Sequence, residues 1–189
     1  VPYYNRPPQE GLYRHFEAIA RSTSLPVILY NIPSRTGQNL SAETTARLAE
    51  IPNVVGLKDS TGQLDHVSHV RRLTPPTFRI YSGDDSLTLP ILAVGGHGVI
   101  SVASNVIPRE VARMVRAFAG GDPATAMKLH AKFYPLFKDL FIETNPIPVK
   151  AAMAMLGWIA EEYRLPLVPM SPANREKLRQ TMKACGLLK

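Results

Sequence analysis

Four short apolar runs mark the first 121 residues: Pro26-Val27-Ile28-Leu29-Tyr30, Val54-Val55-Gly56-Leu57-Lys58, Phe78-Arg79-Ile80-Tyr81 and Gly98-Val99-Ile100-Ser101-Val102. All but the third are nearly continuous apolar stretches. Strands of a parallel sheet covered on both faces read this way. Successive runs lie about 20 to 28 residues apart, which leaves room for a strand, a helix and two short loops.

The stretches between the runs carry helix signals. Ser41 is placed to cap a segment ending at Glu50, and Pro108 occupies a first helical position. After Pro108, Ile107, Val111, Met114, Val115 and Phe118 recur at helical spacing, and Gly120-Gly121 ends the segment. An earlier helix is predicted from about Pro8 to Arg21, with Leu12, Phe16, Ala18 and Ile19 facing inward. Beyond Gly121 the strand signal stops. Asp122-Pro123 opens a helix carrying Ala126, Leu129, Phe133, Leu136 and Leu140. Pro148 opens another, through Ala152, Met153 and Leu156 to Gly157. Ser171-Pro172 opens a last one through Leu178 and Met182.

Alternating strands and helices predict an α/β fold with a parallel sheet, either doubly wound or a barrel. No glycine-rich phosphate loop follows a strand, which weakens the nucleotide-binding alternative. Polar and aromatic residues gather at the C-terminal ends of the runs, where barrels place their chemistry. A complete eight-stranded barrel takes about 250 residues, and four strands are visible here. The segment Val1–Pro7 reads as the loop leaving an earlier strand. The expectation is therefore residues 1–121 as the last half of a (β/α)8 barrel, residues 122–189 as a helical domain, and an N-terminal half outside this sequence. Such a half-barrel would leave its inner face uncovered, with Val27, Leu29, Val55, Leu57 and Val99 losing contacts. Expressed by itself it is expected to fold poorly and be inactive.

Composition narrows the function classes. The chain has 189 residues, 45% hydrophobic and 20% charged, the profile of a soluble globular protein. No apolar run reaches the roughly 18 residues of a membrane span. The single cysteine, Cys185, excludes an internal disulfide and fits a reducing, cytoplasmic setting. The formal net charge is +7. The basic residues are scattered, with Arg71-Arg72 the longest run, so the excess suits anionic metabolites or a solvated surface better than nucleic acid.

Lys58 is the first residue that suggests chemistry. The chain has eight lysines, and the other seven all fall beyond Gly121. A lysine desolvated at the end of a buried strand has a lowered pKa, and its neutral amine can attack a ketone. A lysine snorkelling out from a strand end is the plainer alternative. Tyr30 ends the preceding strand, about 5 Å away across a parallel pair, where its phenol could relay protons or simply sit at a rim. Tyr4 is a candidate second relay member, and Tyr3 is equally possible on chemistry alone. Arg35, in the loop after Tyr30, has the geometry to hold a carboxylate, or is a surface arginine. The pair Asp84-Asp85 suggests a metal, but the five histidines offer no neighbouring ligand pattern, so a helix N-cap is the better reading. His97 reads as structural. Gly98 and Ile100 suit a pocket floor.

Several stretches together resemble the dihydrodipicolinate synthase family of class I aldolases. They are Tyr3-Tyr4-Asn5-Arg6-Pro7, Leu29-Tyr30-Asn31-Ile32-Pro33-Ser34-Arg35-Thr36-Gly37, Gly56-Leu57-Lys58-Asp59, Gly95-Gly96-His97-Gly98-Val99-Ile100-Ser101 and Asn145-Pro146-Ile147-Pro148-Val149-Lys150. The resemblance implies a barrel with a C-terminal helical domain, usually a homotetramer. It implies condensation of pyruvate with L-aspartate 4-semialdehyde to 4-hydroxy-tetrahydrodipicolinate in lysine biosynthesis. No metal or organic cofactor is implied, only a covalent lysine imine. Lys58 matches the Schiff-base lysine and Tyr30 the proton-relaying tyrosine beside it. Tyr4 matches the tyrosine lent to a neighbouring subunit, and Arg35 the arginine holding the semialdehyde carboxylate. Gly83 and Ile100 match backbone positions around the substrate. The sister lyases for sialic acid and sugar acids share the lysine and tyrosine but usually lack the Ser-Arg-Thr run, so Arg35 favours the synthase. A non-catalytic half-barrel that binds rather than reacts is the remaining alternative. The family's Gly-Thr-Thr-Gly-Glu motif, which holds the pyruvate carboxylate, does not occur in this sequence.

Overall fold

A computed structural model describes residues 1–189. It divides into two compact units, Val1–Ile100 and Ser101–Lys189. In chain order the first unit comprises α1 (Gln9–Arg21), β1 (Val27–Asn31), α2 (Pro33–Thr36), α3 (Ala42–Ala49), β2 (Val54–Asp59), α4 (Leu64–Leu73) and β3 (Arg79–Ser82). A 3-10 turn at Asp85–Leu87, α5 (Thr88–Ala93) and β4 (Gly98–Val99) complete it. The sheet is four-stranded, in the order β1-β2-β3-β4, and every pair is parallel.

The predicted runs became strands within a residue or two, except that β4 pairs over only two residues. The two faces of the sheet differ. Leu29, Leu57 and Ile80 share one face and are fully buried in a core with Leu12 and Phe16 of α1, Leu48 of α3 and Val67 of α4. Ile28, Gly56 and Arg79 are paired in register on the other face. There Ile28 is 44% exposed and Arg79 is exposed too. The inner face is uncovered, as expected of a half-barrel, but the expectation that Leu29 and Leu57 would lose contacts there is corrected. Side chains alternate across a strand, so Leu29 and Leu57 point under the helices and their neighbours in sequence take the open face.

Helix α1 also departs from expectation. Ala18 and Ile19 are exposed, and Ala20 is buried with Leu12 and Phe16, a strict i, i+4, i+8 stripe narrower than the one predicted. Helix α3 has the predicted cap, with Ser41 Oγ accepting from Thr44 N at 3.1 Å.

The second unit contains a 3-10 turn at Ala103–Asn105, then α6 (Pro108–Ala119), α7 (Pro123–Asp139), α8 (Ile147–Met155) and α9 (Pro172–Ala184). Asp122 Oδ1 and Ser171 Oγ accept from Thr125 N and Asn174 N, so the Asp-Pro and Ser-Pro signals were cap-plus-first-position signals. Helix α6, placed with the strands in the expected division at Gly121, falls in the second unit, where it packs along α7 with Val111 and Met114 buried.

Candidate active site

The register of the sheet lines up Tyr30, Lys58, Tyr81 and Gly98 across all four strands on the open face. Lys58 therefore faces away from the helix-covered core, half-buried. Its Nζ lies 3.9 Å from the centroid of the Tyr30 ring. The proximity expected of these two adjacent strand ends is thus realised by the β1–β2 register.

The far side of Lys58 is lined by Gly83, and the space there requires glycine. A Cβ at Gly83 would lie 3.1 Å from Lys58 Cε, 3.1 Å from the Asp59 carbonyl oxygen and 1.9 Å from Ser60 Oγ. The Gly83 amide donates to the Asp59 carbonyl at 2.7 Å, extending the β2–β3 ladder past its last paired residues. Ile100 does the same for β3 and β4, its amide donating to the Ser82 carbonyl at 2.9 Å while its side chain is 41% exposed.

Arg35 sits exposed on α2. This one-turn helix ends at Gly37, whose φ of 69° is left-handed, the region that favours glycine. The Arg6 guanidinium lies over that glycine, with Nε 3.1 Å from where a Cβ would be. At the other end of the loop, Asn31 holds the chain to β1. Its Nδ2 donates to Asn39 Oδ1 at 2.9 Å and to the Leu40 carbonyl at 3.1 Å, and its Oδ1 accepts from Leu40 N. Asn31 was not singled out from the sequence. A fully buried amide closing an apolar strand is the signal that would have found it, because such a group must be satisfied.

Tyr4 is 87% exposed, with a φ of 67°, and makes no hydrogen bond to Tyr30 or Lys58. Its segment is tied to β1 through Val1, whose backbone nitrogen donates to the Tyr30 carbonyl at 3.1 Å.

One layer behind Lys58, Asp59 is 1% exposed. Its Oδ1 accepts from the Thr61 amide at 3.1 Å and the Thr61 hydroxyl at 2.7 Å. Its Oδ2 has no hydrogen bond; His66 Nε2 faces it at 3.5 Å, too long for a normal one. Burial holds the Asp59 carboxyl above the usual carboxylate range, against the opposing pull of Thr61 and His66. A folded-state pKa above the unfolded one means that proton uptake favours folding. This contribution is complete below the unfolded pKa and is lost as pH rises through the folded value. Asp59→Asn keeps the Thr61 bonds without the buried charge. It is expected to be more stable than the parent at neutral pH and to lose that part of the pH dependence. Thermal unfolding from pH 4 to 8 tests this, and an asparagine variant melting below the parent at pH 7 contradicts it.

Of the acidic pair, Asp84 occupies the N-cap position of the 3-10 turn, as foreseen, but without a side-chain cap bond; the Ser82 hydroxyl donates to its carbonyl. No group of three or more His, Cys, Asp or Glu is arranged to hold a metal ion. His97 is structural, as expected. Its Nδ1 accepts from Ile80 N at 3.2 Å and its amide donates to the Ile80 carbonyl at 2.7 Å. Burial, with Arg79 and Arg71 nearby, keeps its pKa low. No helix is long and apolar enough to cross a membrane.

Comparison with known proteins bears on the whole arrangement. Residues 1–185 match the profile of the dihydrodipicolinate synthetase family. Proteins named 4-hydroxy-tetrahydrodipicolinate synthase from Cyanothece sp. and Thermosynechococcus vestitus are each 56% identical to this chain. The alignments cover 100% of this chain and 64% of each relative. A crystal structure of the enzyme from Cyanidioschyzon merolae with lysine bound superposes with a TM-score of 0.97 at 50% identity, again over 100% of this chain and 64% of that one. The chain thus spans a little under two thirds of the length of these relatives, and the solved structures it matches are barrels of the kind its parallel sheet predicts. With a single profile covering all but its last four residues and every element superposed, the chain belongs to the dihydrodipicolinate synthetase family.

Proposed function

We propose that this chain supplies the imine-forming part of a pyruvate-dependent aldolase that condenses pyruvate with L-aspartate 4-semialdehyde, in a barrel of the length its relatives have. The observation that carries the proposal is Lys58 Nζ set 3.9 Å over the Tyr30 ring, at the strand-end row of the open face. The amine attacks C2 of pyruvate, the carbinolamine loses water, and the resulting imine gives up a methyl proton to become an enamine. The enamine carbon then attacks the aldehyde. Tyr30, in contact with the amine, is the residue to move protons in these steps. Gly83 and Ile100 border the adduct with backbone. The exposure of Tyr4 suits a side chain lent to a neighbouring subunit, and with it a homotetramer. The enamine stores the carbanion, so no metal or organic cofactor takes part. A cytoplasmic setting follows from the reducing environment read from Cys185. The test is turnover of the protein expressed from its own gene, with pyruvate and a panel of aldehydes. Aspartate 4-semialdehyde is expected to be the best substrate, and a sugar-acid aldehyde turned over faster would overturn the assignment.

Arg35 bears on the second substrate. It stands on a loop beyond the strand end, suited to the semialdehyde carboxylate. Arg35→Ala is expected to raise the KM for the aldehyde by about ten- to a hundredfold, the loss of a charge-assisted bond of about 1.5–3 kcal/mol. Imine formation with pyruvate should change little. A variant that binds the aldehyde normally but no longer traps pyruvate would reverse the assignment.

A further inference from the structure

Ser60 is a buried polar group beside Lys58 that the proposed chemistry has not used. It lies two residues beyond Lys58, its residue is 9% exposed, and its Oγ has no hydrogen-bond partner. Leaving a hydroxyl buried and unsatisfied costs about 1–3 kcal/mol, and such groups gather where a ligand will satisfy them. Its position is defined by Gly83: the Cβ that glycine lacks would fall 1.9 Å from Ser60 Oγ and 3.1 Å from Lys58 Cε. These distances confine the hydroxyl to within about 5 Å of the lysine side chain. Tyr30 occupies one flank of Lys58, and the bare Gly83 with the Ser60 hydroxyl occupies the other.

We propose that Ser60 is a further catalytic residue, whose hydroxyl hydrogen-bonds the oxygen on C2 of the 2-oxo acid while Lys58 adds to it. This rests on Lys58 being the imine-forming residue. When Nζ bonds to C2, the carbonyl π pair moves onto oxygen, and one proton from nitrogen ends on that oxygen, giving the carbinolamine hydroxyl. That hydroxyl then leaves with a second nitrogen proton as water, and the C=N bond forms. Tyr30 lies against the amine and serves the nitrogen protons. Ser60 donates a hydrogen bond to the oxygen as charge develops on it, without itself losing a proton, and its orphaned state ends there.

The test is Ser60→Ala in the protein expressed from its own gene, read by the rate of borohydride trapping with pyruvate and by thermal unfolding. Trapping is expected to slow about tenfold, the scale of one hydrogen bond to a developing oxyanion. The melting temperature should stay level or rise, because the variant removes an unsatisfied buried hydroxyl. Ser60→Thr, which keeps the hydroxyl, should recover part of the rate. A Ser60→Ala protein trapped within twofold of the parent rate overturns the proposal. So does a rate loss matched by a loss of stability, which would mark a structural role. If the parent protein itself is not trapped, the reading of Lys58 fails and not this one alone.

Discussion

Lys58→Ala is expected to lower turnover roughly ten-thousandfold or more, the scale of deleting a covalent nucleophile. No other lysine lies in the unit Val1–Ile100. The fold should tolerate the change. Lys58 forms no ion pair, and its contact with the Tyr30 ring contributes about 0.5–1 kcal/mol at a partly exposed site. Lys58→Arg should be just as inactive, since a guanidinium keeps the charge but is never a free amine. Steady-state rates and circular dichroism together check this. A folded Lys58→Ala protein retaining more than a few per cent of turnover would remove Lys58 from the mechanism.

Gly83→Ala is expected to be the most damaging single-methyl change in the site. The added carbon would fall on Ser60 Oγ and against the Asp59 carbonyl, which is backbone and cannot swing aside. The Gly83 amide is bonded to that same carbonyl, so relief requires parting β2 from β3 where they carry Lys58. Overpacking of this kind costs about 1–3 kcal/mol. The shift at Lys58 should cost turnover as well, because misplacing a reacting group by about 1 Å can lose a hundredfold. Chemical denaturation and trapping kinetics report the two effects separately. A variant as stable and as active as the parent would mean that the strand ends have slack the structure does not show. The open turn at Gly62 is the control: nothing lies within 4 Å of its missing Cβ, and only its φ of 74° opposes alanine.

The sequence made the strand-end residues legible because period and position suffice for them. Lys58 and Tyr30 each end an apolar run, and parallel register does the rest. The caps at Ser41, Asp122 and Ser171 were legible for the same local reason. Three things were not. The two faces of the sheet could not be told apart from runs such as Val27-Ile28-Leu29, where every residue is apolar; only packing shows that Leu29 is covered and Ile28 is not. The polar residues Asn31 and Asp59 each follow a conspicuous neighbour, Ser60 lies one residue further on, and the surroundings of Asn31 and Ser60 depend on Leu40 and Gly83, which are distant in sequence. The place of α6 was also hidden, because its stripe of Val111 and Met114 fits a sheet or another helix equally well, and the structure packs it along α7.

Borohydride reduction in the presence of pyruvate, followed by peptide mapping, tests the central claim most directly. One stable adduct is expected on the peptide containing Gly56-Leu57-Lys58-Asp59, dependent on pyruvate and absent from Lys58→Ala. An adduct on Lys150 or another lysine of the helical unit, with Lys58 unmodified, would contradict it.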